Sequence, residues 1–295
     1  MTQAGVESGV VLLRPCPALW EMEQMLMTTR SRTVQQIFND REKTLAENKA
    51  MVRRRVNPHN PLHADLADGA WAGEPCFVIG GGPSLIGFDF ERLHGLGRVI
   101  AINRAFEFIP WADLLFFMDW NFYKLYHNGT SKVGEWNSFK GYKVFLNLMG
   151  RLLEDCYSVR SLGRSGVSRS HEEGLYHGNN SGFGALQLAA CLGARPIYLL
   201  GYDMGESETG LAHFHSGYGK RERPTVSKSF VRDFELVAAQ LKKIPDIYNL
   251  NPKSGLRIFP FKSVEEVLNG SAREMLGNDS HAVRESVLLD SPASN

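Results

Sequence analysis

The sequence predicts an α/β fold: a single Rossmann-like three-layer domain with a mostly parallel sheet, preceded by a helical N-terminal segment. Three observations predict it. From Trp71 onward, short apolar runs alternate with helical patterns, the mark of parallel strands buried on both faces. The first run ends in a glycine-rich turn, Gly80-Gly81-Gly82-Pro83-Ser84, where a strand hands over to a helix start. Before Trp71, from Ala18 to about Val56, the chain instead carries apolar side chains at helical spacing.

The N-terminal segment, residues 1–70, is rich from Ala18 to Val56 in Glu, Gln, Lys, Arg, Met and Leu, which favour helix. Its apolar positions Leu19, Met22, Leu26, Val34, Ile37 and Phe38 recur helically, and Asn57-Pro58-His59-Asn60-Pro61 breaks the pattern. This preface is expected to pack on the main domain or on a partner subunit, so a homo-oligomer built through the N-terminal helices is an expectation. Arg53-Arg54-Arg55 reads as a solvated helix face.

The main domain, residues 71–270, reads as a nucleotide-binding catalytic domain. Its strands are the runs Cys76–Ile79, Val99–Ile102, Leu114–Met118, Val144–Leu148 and Ile197–Leu200. Phe183–Leu192 and Ser229–Ile244 read as helices and Asp246–Leu250 as a late strand. Ser263–Leu268 reads as a short terminal helix, with Ser263 and Glu266 spaced as a capping box. Residues 271–295 are Ser-, Asn- and Glu-rich and read as a weakly ordered tail.

The bulk properties exclude several classes. With 295 residues and a formal net charge of +1, the chain calls for neither nucleic acid nor an anionic membrane as partner. No pair among Cys16, Cys76, Cys156 and Cys191 has zinc-ligand spacing, and a reducing, cytoplasmic setting fits them. No stretch of about 18 apolar residues is present, so no membrane span is expected, and the N-terminus lacks a signal-peptide pattern.

Ligands of a parallel sheet bind beyond the carboxyl ends of its strands. Those ends deliver Gly80, Gly81, Gly82 and Ser84 from the first strand, Asn103 and then Arg104 from the second, and Asp119 from the third. Asn180, Ser181 and Gly182 open the long helix, and Tyr202 and Asp203 follow Ile197–Leu200. The glycine turn is either an anion cradle or a tight connection; it is neither a Walker loop nor a GxGxxG fingerprint. Asn180 is an N-cap, alone or beside an anion. Asp119 and Asp203 are helix caps, metal ligands or hydroxyl acceptors. The loop Gly201–Ser227 is long and polar. Its His213 and His215 are a general base, a pair of metal ligands or surface residues. Lys220, Arg221 and Arg223 close over an anion or are simply solvated.

The order GGGPSL, IAINRAF, NNSGFGALQLAACLGARPIYLLGYDM and a His-bearing loop resembles the core of bacterial sialyltransferases that use CMP-sialic acid. It is also similar to a wider group around archaeal 6-hydroxymethylpterin diphosphokinase and flagellin-modifying motility accessory factors, with many phage and bacterial members. The resemblance spans about Pro75 to Leu268. It implies that Gly80, Gly82 and Ser84 lie against a nucleotide phosphate and that Asn103 contacts the nucleotide. It implies that Ser181 and Gly182 hold the phosphate or a sugar carboxylate, and that His215 or His213 deprotonates an acceptor hydroxyl without an essential metal. The chain departs from the sialyltransferase pattern at Gly81, where the family has Asn, and at Asn180, where it has Thr. Tyr202 and Tyr218 are candidates for the family's leaving-group tyrosines.

Three functions follow as expectations. The first is a glycosyltransferase that takes a nucleotide-sugar donor and a hydroxyl acceptor, needs no cofactor, and displaces at the anomeric carbon with a histidine base. The second is a diphosphokinase-type phosphotransferase holding Mg²⁺ through Asp119 or Asp203. The third is a non-enzymatic binding or assembly protein that retains the fold.

Overall fold

The computed structural model describes residues 64–127, 133–151, 153, 155–205, 210–216, 224–244 and 246–270. The expected N-terminal helices, the tail after 270, and Tyr218, Lys220, Arg221 and Arg223 lie outside the described residues.

Eight strands form one sheet: β1 (Cys76–Ile79), β2 (Arg98–Ile102), β3 (Leu114–Phe117), β4 (Tyr142–Asn147), β5 (Tyr157–Gly163), β6 (Leu175–Tyr176), β7 (Ile197–Leu200) and β8 (Ile247–Asn249). Their spatial order is β6-β5-β4-β3-β2-β1-β7-β8. Every pairing is parallel. The helices are α1 (Trp120–His127), α2 (Val133–Ser138), α3 (Ser181–Cys191), α4 (Pro224–Glu235) and α5 (Ala238–Leu241), with a further helix over 264–270.

Strand periodicity sorts the core onto the two faces of the sheet. Cys76, Val78, Ile100, Leu114, Phe116, Ile197 and Leu199 point one way, into a cluster with Phe183, Leu186 and Leu192 of the α3 region. Phe77, Ile79, Val99, Ala101, Leu115, Phe117 and Leu200 point the other way, toward Phe122, Tyr126 and Trp136 of α1 and α2. Side chains that alternate at period two must be apolar at every position when both faces are covered. That is why β1, β3 and β7 are unbroken apolar runs. Leu66 and Trp71, just before β1, also belong to the core, and the Gly69 amide donates to the Cys191 carbonyl at 2.9 Å.

The chain runs outward from β1 through β2 to β6, then returns across the sheet so that β7 lies on the other side of β1. The direction of winding reverses between β1 and β7. In an open parallel sheet such a reversal opens a crevice beyond the strand ends, because adjacent connections leave on opposite faces.

Candidate functional site

A cleft of about 360 Å³ opens at that reversal. It is lined by Gly80, Gly81 and Gly82 after β1, Asn103 and Arg104 after β2, and Asp119 after β3. Asn179–Gly182 at the start of α3, Tyr202 and Asp203 after β7, and His213 and His215 complete the wall. Of the residues singled out in the sequence and described here, Ser84 alone does not line it. Ile102, Met118, Met204, Ala212 and Phe230 line it too, and nothing in their sequence context marks them.

The glycine turn is held by the end of β7. The Gly80 amide donates to the Leu200 carbonyl at 2.8 Å, and the Gly82 amide to the Gly201 carbonyl at 2.9 Å. The strand ladder therefore runs on through the turn. A Cβ on Gly80 would meet the Gly201 oxygen at 2.7 Å, and one on Gly82 would fall 1.8 Å from Asp203 Oδ2. These glycines are required for two chain ends to approach, whatever ligand is bound. Pro83–Leu85 forms a single 3₁₀ turn and stops at Ile86. Its amino end is closed by Asp203, which accepts from the Ser84 amide at 2.9 Å and the Ser84 hydroxyl at 2.8 Å. In this turn the N–H groups of Gly80, Gly82 and Ser84 are engaged within the protein, and Pro83 has none. Among the described residues, the Gly81 amide has no such commitment. Burial raises the Asp203 carboxyl above its ordinary range, and the bonds from Ser84 work against that rise.

The start of α3 is the second wall. Asn180 caps the helix, its side-chain oxygen accepting from the amides of Gly182 at 2.6 Å and Phe183 at 3.2 Å. Asn179 before it takes a left-handed φ of 52°, which asparagine tolerates better than most residues. The Tyr202 hydroxyl, buried, donates to the Gly182 carbonyl at 2.9 Å, and Ser254 donates to the Tyr202 carbonyl at 2.5 Å. Tyr202 thus pins the first turn of α3 to the end of β7. Its phenol is pushed well above the ordinary range by burial.

Asn103 directly follows β2 with φ 50° and donates its amide NH₂ to Ser181 Oγ at 3.4 Å. That contact leaves Asn103 Oδ1 buried without a hydrogen-bond partner. An orphaned acceptor on the wall of a cleft calls for a donor from a ligand or water. Arg104 is buried and forks onto Glu107 at 2.7 and 2.9 Å, and the Tyr126 hydroxyl donates to the same carboxylate. The pair puts a neutralised cation in the cleft wall.

His213 packs on Gly81: a Cβ there would sit 3.1 Å from His213 Nδ1. The Phe214 amide donates to the Gly81 carbonyl at 3.0 Å, so the loop is stitched to the turn. Burial lowers the His213 pKa from 6.5, its hydrogen bond to the Gly81 backbone opposes this, and the Arg104 charge lowers it further. His215 stacks on His213 with rings 5.3 Å apart and 4° from parallel. Phe108 also stacks on His215, at 6.0 Å. Asp119 caps α1 through the Asn121 amide at 2.7 Å. Among the described residues no group of three His, Cys, Asp or Glu side chains is placed to hold a metal ion.

No helix among the described residues is long and apolar enough to cross a membrane. No family model and no curated protein matches the chain. Two solved structures are similar to it. The Maf glycosyltransferase from Magnetospirillum magneticum AMB-1 has TM-score 0.46 and 16% identity, over 78% of this chain and 42% of that one. The sialyltransferase CstII from Campylobacter jejuni, solved with the substrate analogue cytidine-5'-monophosphate, has TM-score 0.40 and 18% identity, over 65% of this chain and 86% of that one. The chain thus spans less than half the length of the Magnetospirillum protein. At these values the likeness is one of fold, and fold does not fix function.

Proposed function

We propose that the protein is a glycosyltransferase that uses a nucleotide-activated sugar, with His213 as general base and His215 stacked against it. The observation that carries the proposal is the convergence in one cleft of three features. They are a half-buried His213 held below its ordinary pKa, an orphaned Asn103 acceptor, and the amino end of α3 with the Ser181 hydroxyl.

In this reading the donor phosphate sits against the Gly81 amide, Ser181 Oγ and the positive end of α3. The first-turn amide of Ser181 lies outside the helix's own bonding by position. Ser84 and Asp203 hold the turn in shape and do not touch the donor. Tyr202 and Asn180 position α3. Asn103 Oδ1 accepts from a nucleotide hydroxyl or amino group. His213, neutral near pH 7, takes the proton of an acceptor hydroxyl as that oxygen attacks the anomeric carbon, and the nucleotide departs with the bonding electrons of its glycosidic oxygen. Stacking on His215, which itself stacks on Phe108, keeps the His213 ring in plane.

A screen of CMP-, UDP- and GDP-sugars by thermal shift, without added metal, tests donor binding. One of them should stabilise the protein, and Asn103→Ala should weaken that stabilisation; silence across the set would remove the proposal. The second reading, a Mg²⁺-dependent phosphotransferase, rests on Asp119, whose carboxylate lines the cleft and carries one internal hydrogen bond. It requires that ATP stabilise the protein only with Mg²⁺ and that Asp119→Asn abolish the effect.

A further inference from the structure

Apart from the cleft, a second cavity of about 550 Å³ is lined by Arg164, Lys228, Ser229, Arg232, Asp233 and Leu236. Four of these fall at i, i+3, i+4 and i+7 along α4 and its exit, which places them on one stripe. Phe230 of the same helix lines the cleft. The segment that carries Arg164 is also bonded to the turn before α3. The amides of His177 and Gly178 donate to the carbonyls of Gly163 and Arg164, each at 2.9 Å, and the next residues, Asn179 and Asn180, line the cleft.

The second cavity is built around oriented positive charge. Asp233 is 3% exposed and accepts from Arg164 Nε and Nη2, each at 3.0 Å. A buried carboxylate is costly unless paired, and this one fixes a guanidinium that is itself 54% exposed. Held by Nε and Nη2, Arg164 keeps Nη1 for another oxyanion. Among the described residues, Lys228 and Arg232 have no ion-pair partner. Three cations therefore face the cavity against one carboxylate that is already spent. A solvated helix face needs neither a buried anchor nor a concave site.

We infer that this groove is the subsite for an oxyanion on the acceptor, a phosphate or carboxylate group on the sugar whose hydroxyl enters the cleft. The assignment to the acceptor rests on the transferase reading; the binding of the oxyanion does not. Arg164, Lys228 and Arg232 bind the anion, Ser229 adds a hydroxyl, and the Leu236 side chain, 62% exposed, meets the apolar edge of the ring.

Calorimetry on the full chain with glucose 6-phosphate, glucuronate and glucose tests the groove. At least one of the two anions should bind more tightly than glucose, and which one does separates phosphate from carboxylate. Lys228→Glu/Arg232→Glu should weaken that binding on the order of 10-fold or more; Lys228→Gln/Arg232→Gln should weaken it less, with an unchanged melting curve. Equal binding of all three sugars, or wild-type affinity in the charge-reversed protein, would overturn the inference. Nucleotide release from the donor sugars in the same variants reads the cleft separately. Anion binding without nucleotide release would leave the groove standing and count against the transferase reading alone.

Discussion

Alanine at Gly80 and alanine at Gly81 should part stability from site geometry. Neither glycine has a positive φ, so alanine is allowed by the backbone at both. At Gly80 the new Cβ would lie 2.7 Å from the Gly201 carbonyl oxygen and 3.2 Å from its carbon. Both are backbone atoms in the continued β1–β7 ladder, so relief requires the two chain ends to separate by about half an ångström. Overpacking of this kind costs about 1–3 kcal/mol, a fall of roughly 3–10 °C in melting temperature for a domain of this size. At Gly81 the Cβ would meet only a side chain, His213, at 3.1 Å. The ring can move by a few tenths of an ångström, and the lost freedom of the unfolded glycine offsets the contact by about 0.4–1 kcal/mol. Gly81→Ala should therefore melt within about 2 °C of wild type. Its His213 ring, pushed from its buried seat, should titrate closer to 6.5 than in wild type by histidine NMR. If the transferase reading holds, turnover should fall about 10-fold, since misplacement by about 1 Å costs about 100-fold. A Gly80→Ala protein that melts like wild type, or a Gly81→Ala protein destabilised as much as it, would refute this account of the turn.

Three further outcomes follow from the same contacts. Asp203→Ala should cost about 0.5–1.5 kcal/mol by removing the bonds from the exposed Ser84 amide and hydroxyl, which water can then reach. The folded pKa of Asp203 is raised, so its contribution to stability is full below the unfolded value near 3.8 and is lost as pH rises through the folded value; Asp203→Asn should escape that loss and melt at or above wild type at pH 7. Tyr202→Phe should lose about 1 kcal/mol with the bond to the Gly182 carbonyl, seen in chemical denaturation. The kcat/KM profile should rise with pH along an acid limb centred below 6.5, because the folded His213 pKa is lowered, and be flat above it; a limb centred above 6.5 would exclude His213 as the base.

The central strands were legible because both of their faces are covered, which leaves no polar position to interrupt CFVI, LLFF or IYLL. At one edge β8 matches the late strand expected over Asp246–Leu250, but the strands at the other edge were not legible. β5 reads YSVRSLG and only its Val159 is buried, and β6 has two residues, so neither presents an apolar run. α1 and α2 are short and rich in Trp, Tyr and Asn, which carry weak helical preference. The single helix expected over Ser229–Ile244 is two helices, α4 and α5, parted at Leu236–Val237. The terminal helix keeps its expected N-cap, with the Glu266 amide on Ser263 Oγ at 3.4 Å.

The cleft was legible as a set of strand ends, since the parallel order alone brings them together. Its hydrogen bonding was not. Whether the amides of a glycine turn face a ligand or the neighbouring strand depends on the β1–β7 register, which joins residues over 100 positions apart. Asp203 reads equally well as a ligand contact or as the partner of Ser84 until that register is known. The left-handed turn at Asn103, which orphans its oxygen, likewise depends on Ser181 arriving from another strand's connection.

The central claim is that this cleft cleaves a nucleotide-sugar bond with His213 as the base. The most direct measurement is release of free nucleotide from CMP-, UDP- and GDP-sugars, in the presence of chelator, by wild type and by His213→Ala. The account predicts release from one donor class, reduced about 10²–10⁴-fold in the variant, with donor affinity within about 3-fold of wild type. Release that requires Mg²⁺, or that persists at the wild-type rate in His213→Ala, would contradict it.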